Sequence, residues 1–106
     1  MSKQSSSKSN SATKIIVMYW DVLKVGSIAP RTLEVKFSDG LMGTVFIDYS
    51  FCTGVFEALK NDQTVALAFT ENGVVTWPNG LDLAPDTMYW EIKNSPIHRY
   101  VIRLPT

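Results

Sequence analysis

The sequence contains one cysteine, Cys52, and one histidine, His98. A single cysteine cannot form a disulfide within the chain. One cysteine and one histidine are also too few for a zinc site, which needs about four such ligands. We interpret Cys52 as a small buried hydrophobe and His98 as an ordinary residue of a C-terminal edge strand, where a precisely oriented base is hard to hold. The sequence accordingly predicts no catalytic residue, no metal and no cofactor, and an enzyme of unrecognised type is left as a third alternative.

Long apolar runs, nucleotide-binding loops and calcium loops are also missing. The apolar run from Ile15 to Trp20 falls far short of the ~20 residues that cross a bilayer, and because no apolar run lies between Met1 and Ile15 we expect no secretory signal there. No GxGxxG or Walker-type loop occurs. The spacing of the aspartates fits no EF-hand, and in a chain with ten acidic residues a pair such as Asp48 and Asp82 is expected by chance. We expect a cytoplasmic protein without a membrane contact.

The formal charge is zero, but it is unevenly distributed along the chain. Residues 1–14 contain six serines and three lysines (Lys3, Lys8 and Lys14), a composition that predicts a disordered tail. Residues 15–106, which are long enough for a single domain, contain seven basic and ten acidic residues. Residues 71–91 hold four acids and no base. An acidic body makes nucleic acid an improbable partner for it, because binding a phosphate backbone needs clustered lysine or arginine.

Alternation of apolar and polar residues is the main local pattern. Leu33, Val35 and Phe37 share one face of a strand over residues 31–38, and Asp39-Gly40 turns the chain into a second β-rich run over residues 43–49. Alternation also flanks Asn72-Gly73 over residues 65–77, which predicts another hairpin in which Trp77 is part of the core.

Four further elements complete the predicted secondary structure. Strands are expected over residues 15–25 and about 97–105, and short helices over residues 54–60 and 85–91, the latter begun by Pro85 and ended by Ser95-Pro96. The predicted fold class is α+β: a small antiparallel sheet of five to six strands with two short helices. The connections between successive strands are too short for parallel crossovers.

The order and spacing of several short motifs are similar to those of a known family. They are Leu33-x-Val35-x-Phe37-Ser38-Asp39-Gly40, Asp48-Tyr49, Gly54-Val55-Phe56-x-x-Leu59, and the segment from Val75 to Tyr89 with Trp77-Pro78-Asn79-Gly80-Leu81-Asp82-Leu83-x-Pro85-Asp86. Over about Asp21 to Tyr89 the chain resembles the small bacterial family called domain of unknown function 2442. The tail and the strand-like segment 97–105 lie outside the resemblance.

The resemblance implies a compact α+β domain that occurs alone or fused to a helix-turn-helix. Stand-alone members are often encoded beside another short protein, in pairs thought to form toxin–antitoxin modules. The family has no assigned catalytic residues, so the resemblance implies none here.

Two hypotheses from different classes follow. The first is a non-enzymatic protein-binding module, antitoxin-like or another inhibitor, that contacts a partner through an acidic and aromatic surface at Asp82, Asp86, Tyr89 and Trp90. The partner would be another protein, encoded by a neighbouring gene. Tyr19-Trp20 adds to the aromatic signal: adjacent residues of a strand face opposite sides, so we expect at least one of the two to lie outside the core.

The second hypothesis is a nucleic-acid-binding or regulatory protein that uses its basic termini. The candidate contacts are Lys3, Lys8, Lys14, Arg99 and Arg103. Separately, the C-terminal strand could pair with its own sheet, with a second copy in a homo-oligomer, or with a target.

Overall fold

A computed structural model describes residues 16–104 of the chain. The predicted tail over residues 1–14, together with Ile15, Pro105 and Thr106, lies outside the described residues. The strands are β1 (Val22–Ala29), β2 (Thr32–Phe37), β3 (Met42–Ile47), β4 (Phe69–Glu71), β5 (Val74–Thr76), β6 (Asp82–Leu83) and β7 (Arg99–Ile102). The helices are two 3₁₀ helices (Tyr49–Phe51 and Gly54–Lys60), α1 (Asp62–Val65) and α2 (Pro85–Asn94).

The strands form two sheets, one of order β1-β2-β3-β7 and one of order β4-β5-β6. The α+β class is therefore confirmed, but the prediction of a single antiparallel sheet was wrong. Strand β7 pairs with β3 in parallel. Connections between successive strands are short, but β3 and β7 are not successive: residues 48–98, including α2, lie between them and are long enough for a parallel crossover.

The four-stranded sheet has one buried and one open face. Leu33, Val35 and Phe37 point to the buried inner face, as their alternation predicts, and Thr32, Glu34 and Lys36 point to the outer face. Helix α2 packs on the inner face, where its residue Ile92 lies against Gly43 of β3. A Cβ atom at Gly43 would lie 2.4 Å from Ile92 Cγ2, so the absence of a side chain permits this close approach.

The second sheet contains the hairpin predicted around Asn72-Gly73, but its first strand is shorter than predicted. The Asn72-Gly73 turn has φ values of 53° and 81°, as expected for a type I′ turn, and Trp77 is buried after β5. The predicted strand over residues 65–69 begins only at Phe69, because Val65 ends helix α1. The Asn61 side chain caps this helix by accepting a hydrogen bond from the Gln63 N–H at 2.8 Å.

The first strand also starts later than predicted and runs further. Residues 16–18 are not in a strand, and Tyr19-Trp20 forms a turn closed by a hydrogen bond from the Met18 N–H to the Asp21 carboxylate at 3.0 Å. Strand β1 then continues through Gly26 to Ala29, with irregular register at both ends. It is an edge strand of its sheet.

The remaining predictions of secondary structure hold in outline. The helix predicted over residues 54–60 is a 3₁₀ helix, and the helix predicted over residues 85–91 continues to Asn94, where Ser95 caps it. The predicted C-terminal strand is confined to Arg99–Ile102, lies at the sheet edge and joins its own sheet. Within residues 16–104, none of the helices combines the length and the hydropathy needed to cross a membrane.

Arg31 is a buried cation that joins several elements, and the sequence pattern did not reveal it. It occupies the left-handed region at φ 58° in the β1–β2 turn. Its guanidinium donates to the Ile47 carbonyl at 2.7 Å, the Lys60 carbonyl at 3.2 Å, the Asp62 carboxylate at 3.1 Å and Cys52 Sγ at 3.1 Å. All three guanidinium nitrogens donate, and Nη1 donates to two of the four partners, so the protein itself solvates the charge.

Candidate functional site

Helix α2 positions most of the residues that were predicted to bind a partner. Pro85 occupies its first turn, where a missing N–H costs nothing, and Asp86 follows at the positive end of the helix dipole. Met88, Tyr89 and Ile92 face the core, whereas Trp90 is 45% exposed. The helix therefore separates the two adjacent aromatic residues, one inside and one outside.

Trp90 belongs to an aromatic surface that we define as Tyr19, Trp20 and Trp90. Tyr19 is 41% exposed, and its ring meets Trp20 edge-to-face at a centroid distance of 4.9 Å. The Tyr19 and Trp90 rings are 6.1 Å apart and nearly perpendicular. The prediction that one residue of the Tyr19-Trp20 pair leaves the core is confirmed, although the pair lies in a turn and not in a strand.

The buried ring of Tyr89 supports the aromatic surface from below. Its centroid lies 5.0 Å from that of Tyr19, 5.3 Å from that of Trp90 and 5.1 Å from that of Phe37 on the inner sheet face. All three contacts are edge-to-face, the favourable geometry for aromatic pairs. The exposed rings are thus fixed against a ring that is itself fixed against the sheet.

A hydrogen bond locks Tyr89 in place. Its hydroxyl donates to the Asp39 carboxylate at 2.5 Å, and Asp39 also accepts from the Leu41 N–H at 2.9 Å. These two donors lower the pKa of Asp39, the tyrosine hydroxyl having the larger effect. The same hydrogen bond, with a smaller effect from burial, raises the pKa of Tyr89 to about 12. Asp39 therefore serves the turn, as predicted, and also orients the tyrosine.

The charges around the aromatic surface are mixed and not purely acidic. Asp86 lies four residues before Trp90, so the two side chains share one face of α2. Lys93 Nζ lies 5.8 Å from the Trp90 ring centroid and 5.6 Å from that of Tyr89, within the range of a cation–π contact. The base-free stretch over residues 71–91 is thus balanced in space by a lysine just beyond its end.

Of the four predicted partner-binding residues, the structure places three on α2 and one elsewhere. Asp86 and Trp90 are exposed on the same helix face, and Tyr89 lies beneath them with only 2% of its surface exposed. Asp82 is an exposed residue of β6 and lies at an apolar groove of about 220 Å³. Partner binding by these residues stays a prediction.

The groove at Asp82 lies between β6, β7, the start of α2 and the 3₁₀ helices. Its lining includes Phe51 and Phe56, whose rings are 4.4 Å apart, together with Thr87 and Tyr100. Burial raises the pKa of Tyr100, and the negative charge of a neighbouring glutamate adds to this rise. The groove is an apolar depression with one carboxylate at its margin.

Of the five residues of the nucleic-acid hypothesis, the structure describes Arg99 and Arg103. Lys3, Lys8 and Lys14 lie outside the described residues. Arg99 is exposed at the start of β7, with its guanidinium carbon 5.2 Å from the Phe46 ring centroid, and Arg103 is exposed just after the strand. The sequence did not indicate that Arg99 shares a sheet face with two lysines, because that proximity comes from the parallel β3–β7 pairing.

Cys52 and His98 occupy different surroundings. Cys52 is fully buried, as predicted, and its sulfur lies against the Arg31 guanidinium. His98 precedes β7 with a positive φ of 51°, so the prediction that it lies within the edge strand was wrong. Asp48 caps the first 3₁₀ helix by accepting from the Ser50 N–H at 3.0 Å. Across residues 16–104 no group of three or more His, Cys, Asp or Glu side chains is arranged to hold a metal ion.

Comparison with known proteins identifies a family for the chain. No curated protein and no solved structure matches it. The model of one family, described as "Protein of unknown function (DUF2442)", matches residues 22–94, which include β1–β6 and all of α2. The match covers well over half of the chain and contains both the Asp39–Tyr89 contact and Trp90. The chain therefore belongs to the DUF2442 family.

Proposed function

We propose that this protein is a non-catalytic protein-binding module that contacts another protein through its aromatic surface. The observation that carries the proposal is the set of fixed edge-to-face contacts that hold two exposed rings, Tyr19 and Trp90, over the buried Tyr89. Tyrosine and tryptophan are the residues that most often dominate the binding energy of protein interfaces. Rings that are already fixed lose little conformational entropy on binding.

The charges beside these rings fit the polar rim of such an interface. Asp86 lies on one side of Trp90 along α2, and Lys93 lies close to the Trp90 ring. Charged residues at the margin of an interface chiefly set orientation and association rate, while the aromatic centre supplies affinity. We therefore assign affinity to Tyr19 and Trp90, and orientation to Asp86.

The biological form of this proposal is an antitoxin-like inhibitor, encoded by a bacterium or a phage and acting in the cytoplasm. The exposed charges of α2 are Asp86, Glu91 and Lys93, which leave its surface acidic by one charge. An acidic surface next to aromatic rings is suited to cover a basic active surface of a partner that acts on nucleic acid. The partner is then another protein, encoded beside this one.

Affinity purification from the source cell, followed by calorimetry with the isolated partner, tests the proposal. Trp90→Ser removes an exposed ring from the aromatic surface, and Leu67→Ser is the matched control because Leu67 is exposed outside that surface. We expect Trp90→Ser to weaken binding by about 2 kcal/mol, or roughly 30-fold, with little effect of the control. Asp86→Lys should slow association, most clearly at low salt.

Equal loss of affinity in Trp90→Ser and Leu67→Ser would reject the aromatic surface as the interface. Thermal unfolding of both variants controls for damage to the fold. Since both side chains are substantially exposed, neither replacement should lower the melting temperature by more than a few degrees.

A further inference from the structure

The outer face of the four-stranded sheet carries a concentration of positive charge that the linear sequence conceals. Strand register aligns its residues in three rows across the sheet. The rows are Lys24-Lys36-Met42, Gly26-Glu34-Thr44-Arg99 and Ala29-Thr32-Phe46-Val101. We call these residues the outer face. It contains three cations and one carboxylate, although the body of the chain is acidic.

Lys24 and Lys36 lie directly opposite each other on β1 and β2. Like charges in this position destabilise a sheet, so the arrangement has a cost in the free protein. Neither lysine takes part in an ion pair with another described residue. An anion bound between the two ammonium groups would remove this repulsion.

A groove of about 400 Å³ lies at these lysines. Lys24, Lys36, Glu34 and Met42 line it. Its floor includes Gly26, above which the space is open: a Cβ atom there would meet no atom within 4 Å. A ligand can therefore approach the backbone of β1 closely.

An aromatic ring lies on the same face, on an interior strand. Phe46 belongs to β3, is half-buried, and has the Arg99 guanidinium above its ring at 5.2 Å. The Thr44 hydroxyl lies on the same face and can donate a hydrogen bond to a ligand, whereas the Thr32 hydroxyl donates to the Pro30 carbonyl at 3.0 Å. Cations that contact phosphates, together with an aromatic ring on which a base can stack, are the combination used to bind single-stranded nucleic acid.

We infer that the outer face binds single-stranded nucleic acid, with Lys24, Lys36 and Arg99 contacting phosphates and Phe46 stacking on a base. This function is separate from the proposed protein interface. Helix α2 packs on the inner face of the same sheet, so the two surfaces lie on opposite sides of it.

The test measures fluorescence anisotropy of a labelled thymidine oligonucleotide of about a dozen nucleotides, a length sufficient for one binding site. The background is the full chain with Lys3, Lys8 and Lys14 changed to Ser, which removes the charges of the tail. Contact with three phosphates predicts a slope of about −2 for log affinity against log salt, or a loss of about 20-fold between about 50 and 200 mM salt.

Charge reversal on the outer face should reduce both affinity and slope. Lys36→Glu is expected to reduce the steepness of the slope by about 0.7. Lys60→Glu is the matched control, because it changes the net charge equally on an exposed residue of a 3₁₀ helix. Phe46→Leu keeps an apolar side chain but removes the ring, and should lower affinity about tenfold while leaving the slope unchanged.

One further variant separates a loss of oligonucleotide binding from a loss of stability. Lys24→Glu places opposite charges across β1 and β2, so it should raise the melting temperature while weakening oligonucleotide binding.

Three results would overturn the inference. They are absence of binding at about 50 mM salt in the tail-substituted background, equal effects of Lys36→Glu and Lys60→Glu, and binding of polyglutamate as tight as that of the oligonucleotide. The last result would assign the outer face to acidic polypeptides. Because none of these measurements uses the protein partner, they are independent of the proposed aromatic interface.

Discussion

Replacing Gly43 by alanine should push helix α2 away from the four-stranded sheet. The new Cβ atom would lie 2.4 Å from Ile92 Cγ2 and 2.7 Å from the His98 carbonyl oxygen, well inside the ~3.5 Å at which non-bonded atoms begin to repel. Ile92 is fully buried and has little room to rotate. The His98 carbonyl accepts a hydrogen bond from the Thr44 N–H at 2.9 Å, so the backbone there cannot retreat freely.

The expected cost follows from two opposing effects. Overpacking of a core costs about 1–3 kcal/mol, and the upper end applies here because one of the two clashes is with backbone. Alanine also lowers the conformational entropy of the unfolded chain, which offsets about 0.5 kcal/mol of this destabilisation. We therefore expect Gly43→Ala to lower the free energy of unfolding by about 2–3 kcal/mol. In a domain of this size that corresponds to a fall in melting temperature of roughly 10 °C or more.

Urea unfolding followed by tryptophan fluorescence measures this difference, and Gly26→Ala is the matched control. Gly26 is also in a strand, but its added Cβ atom would meet no neighbour within 4 Å, so the replacement should be neutral or slightly stabilising. Equal destabilisation by the two variants would refute the reasoning.

A double-mutant cycle with Ile92→Ala gives a second check. Ile92→Ala alone should cost about 2–5 kcal/mol, and it removes the Cγ2 atom with which the new Cβ clashes. The double variant should therefore be more stable than the sum of the single effects predicts, by about 1 kcal/mol or more. Strict additivity would show that α2 is not seated on Gly43.

Three further predictions concern the groups that hold the core and the site in place. Arg31→Met keeps the length of the side chain but loses its hydrogen bonds, and should cost about 3 kcal/mol in urea unfolding; a cost below about 1 kcal/mol would contradict its role as a buried junction. Trp77→Phe leaves a cavity and removes the indole N–H bond to the Val65 carbonyl, so about 2–3 kcal/mol should be lost; an unchanged urea midpoint would contradict this. Because the folded-state pKa of Asp39 is lowered, its contribution to stability is complete above its unfolded pKa and is lost as the pH falls through the folded value. The free energy of unfolding, measured by urea titration at a series of pH values, should therefore fall less for Asp39→Asn than for the parent between about pH 5 and pH 2. An equal fall for the two proteins would contradict this.

Features fixed by neighbouring residues could be predicted from the sequence. The alternation of Leu33, Val35 and Phe37 identified a strand and its buried face, because the pleat has a strict period of two. Asn72-Gly73 identified a turn, and Pro85 the start of a helix, because each residue type suits the local backbone. The core position of Trp77 followed from its alternation with Val75, although Trp77 lies just after the end of β5.

Features that depend on distant residues could not be predicted in the same way. The pairing of β7 with β3 joins segments separated by residues 48–98, and no turn signal specifies it. Arg31 reaches the backbone of Ile47 and Lys60, and nothing in its neighbouring sequence marks it as buried. The proximity of Lys24 to Lys36 depends on the register of β1.

The different environments of Tyr89 and Trp90 follow from helical periodicity, which the sequence of α2 contains. Met88, Tyr89 and Ile92 have the spacing of one helical face, and Trp90 falls outside it. Applied to residues 85–94, helical periodicity alone would have placed Tyr89 in the core and Trp90 on the surface.

Strand β2 connects the two proposed surfaces, because its alternating residues serve opposite sides of the sheet. Phe37 points inward and supports the ring of Tyr89 beneath the aromatic surface. Lys36, its neighbour, points outward and completes the lysine pair of the outer face. A register slip of one residue would reverse every side chain of the strand and place the lysine in the core. The hydrophobic burial of Leu33, Val35 and Phe37 therefore fixes the fold and, by the same alternation, fixes which residues each surface presents.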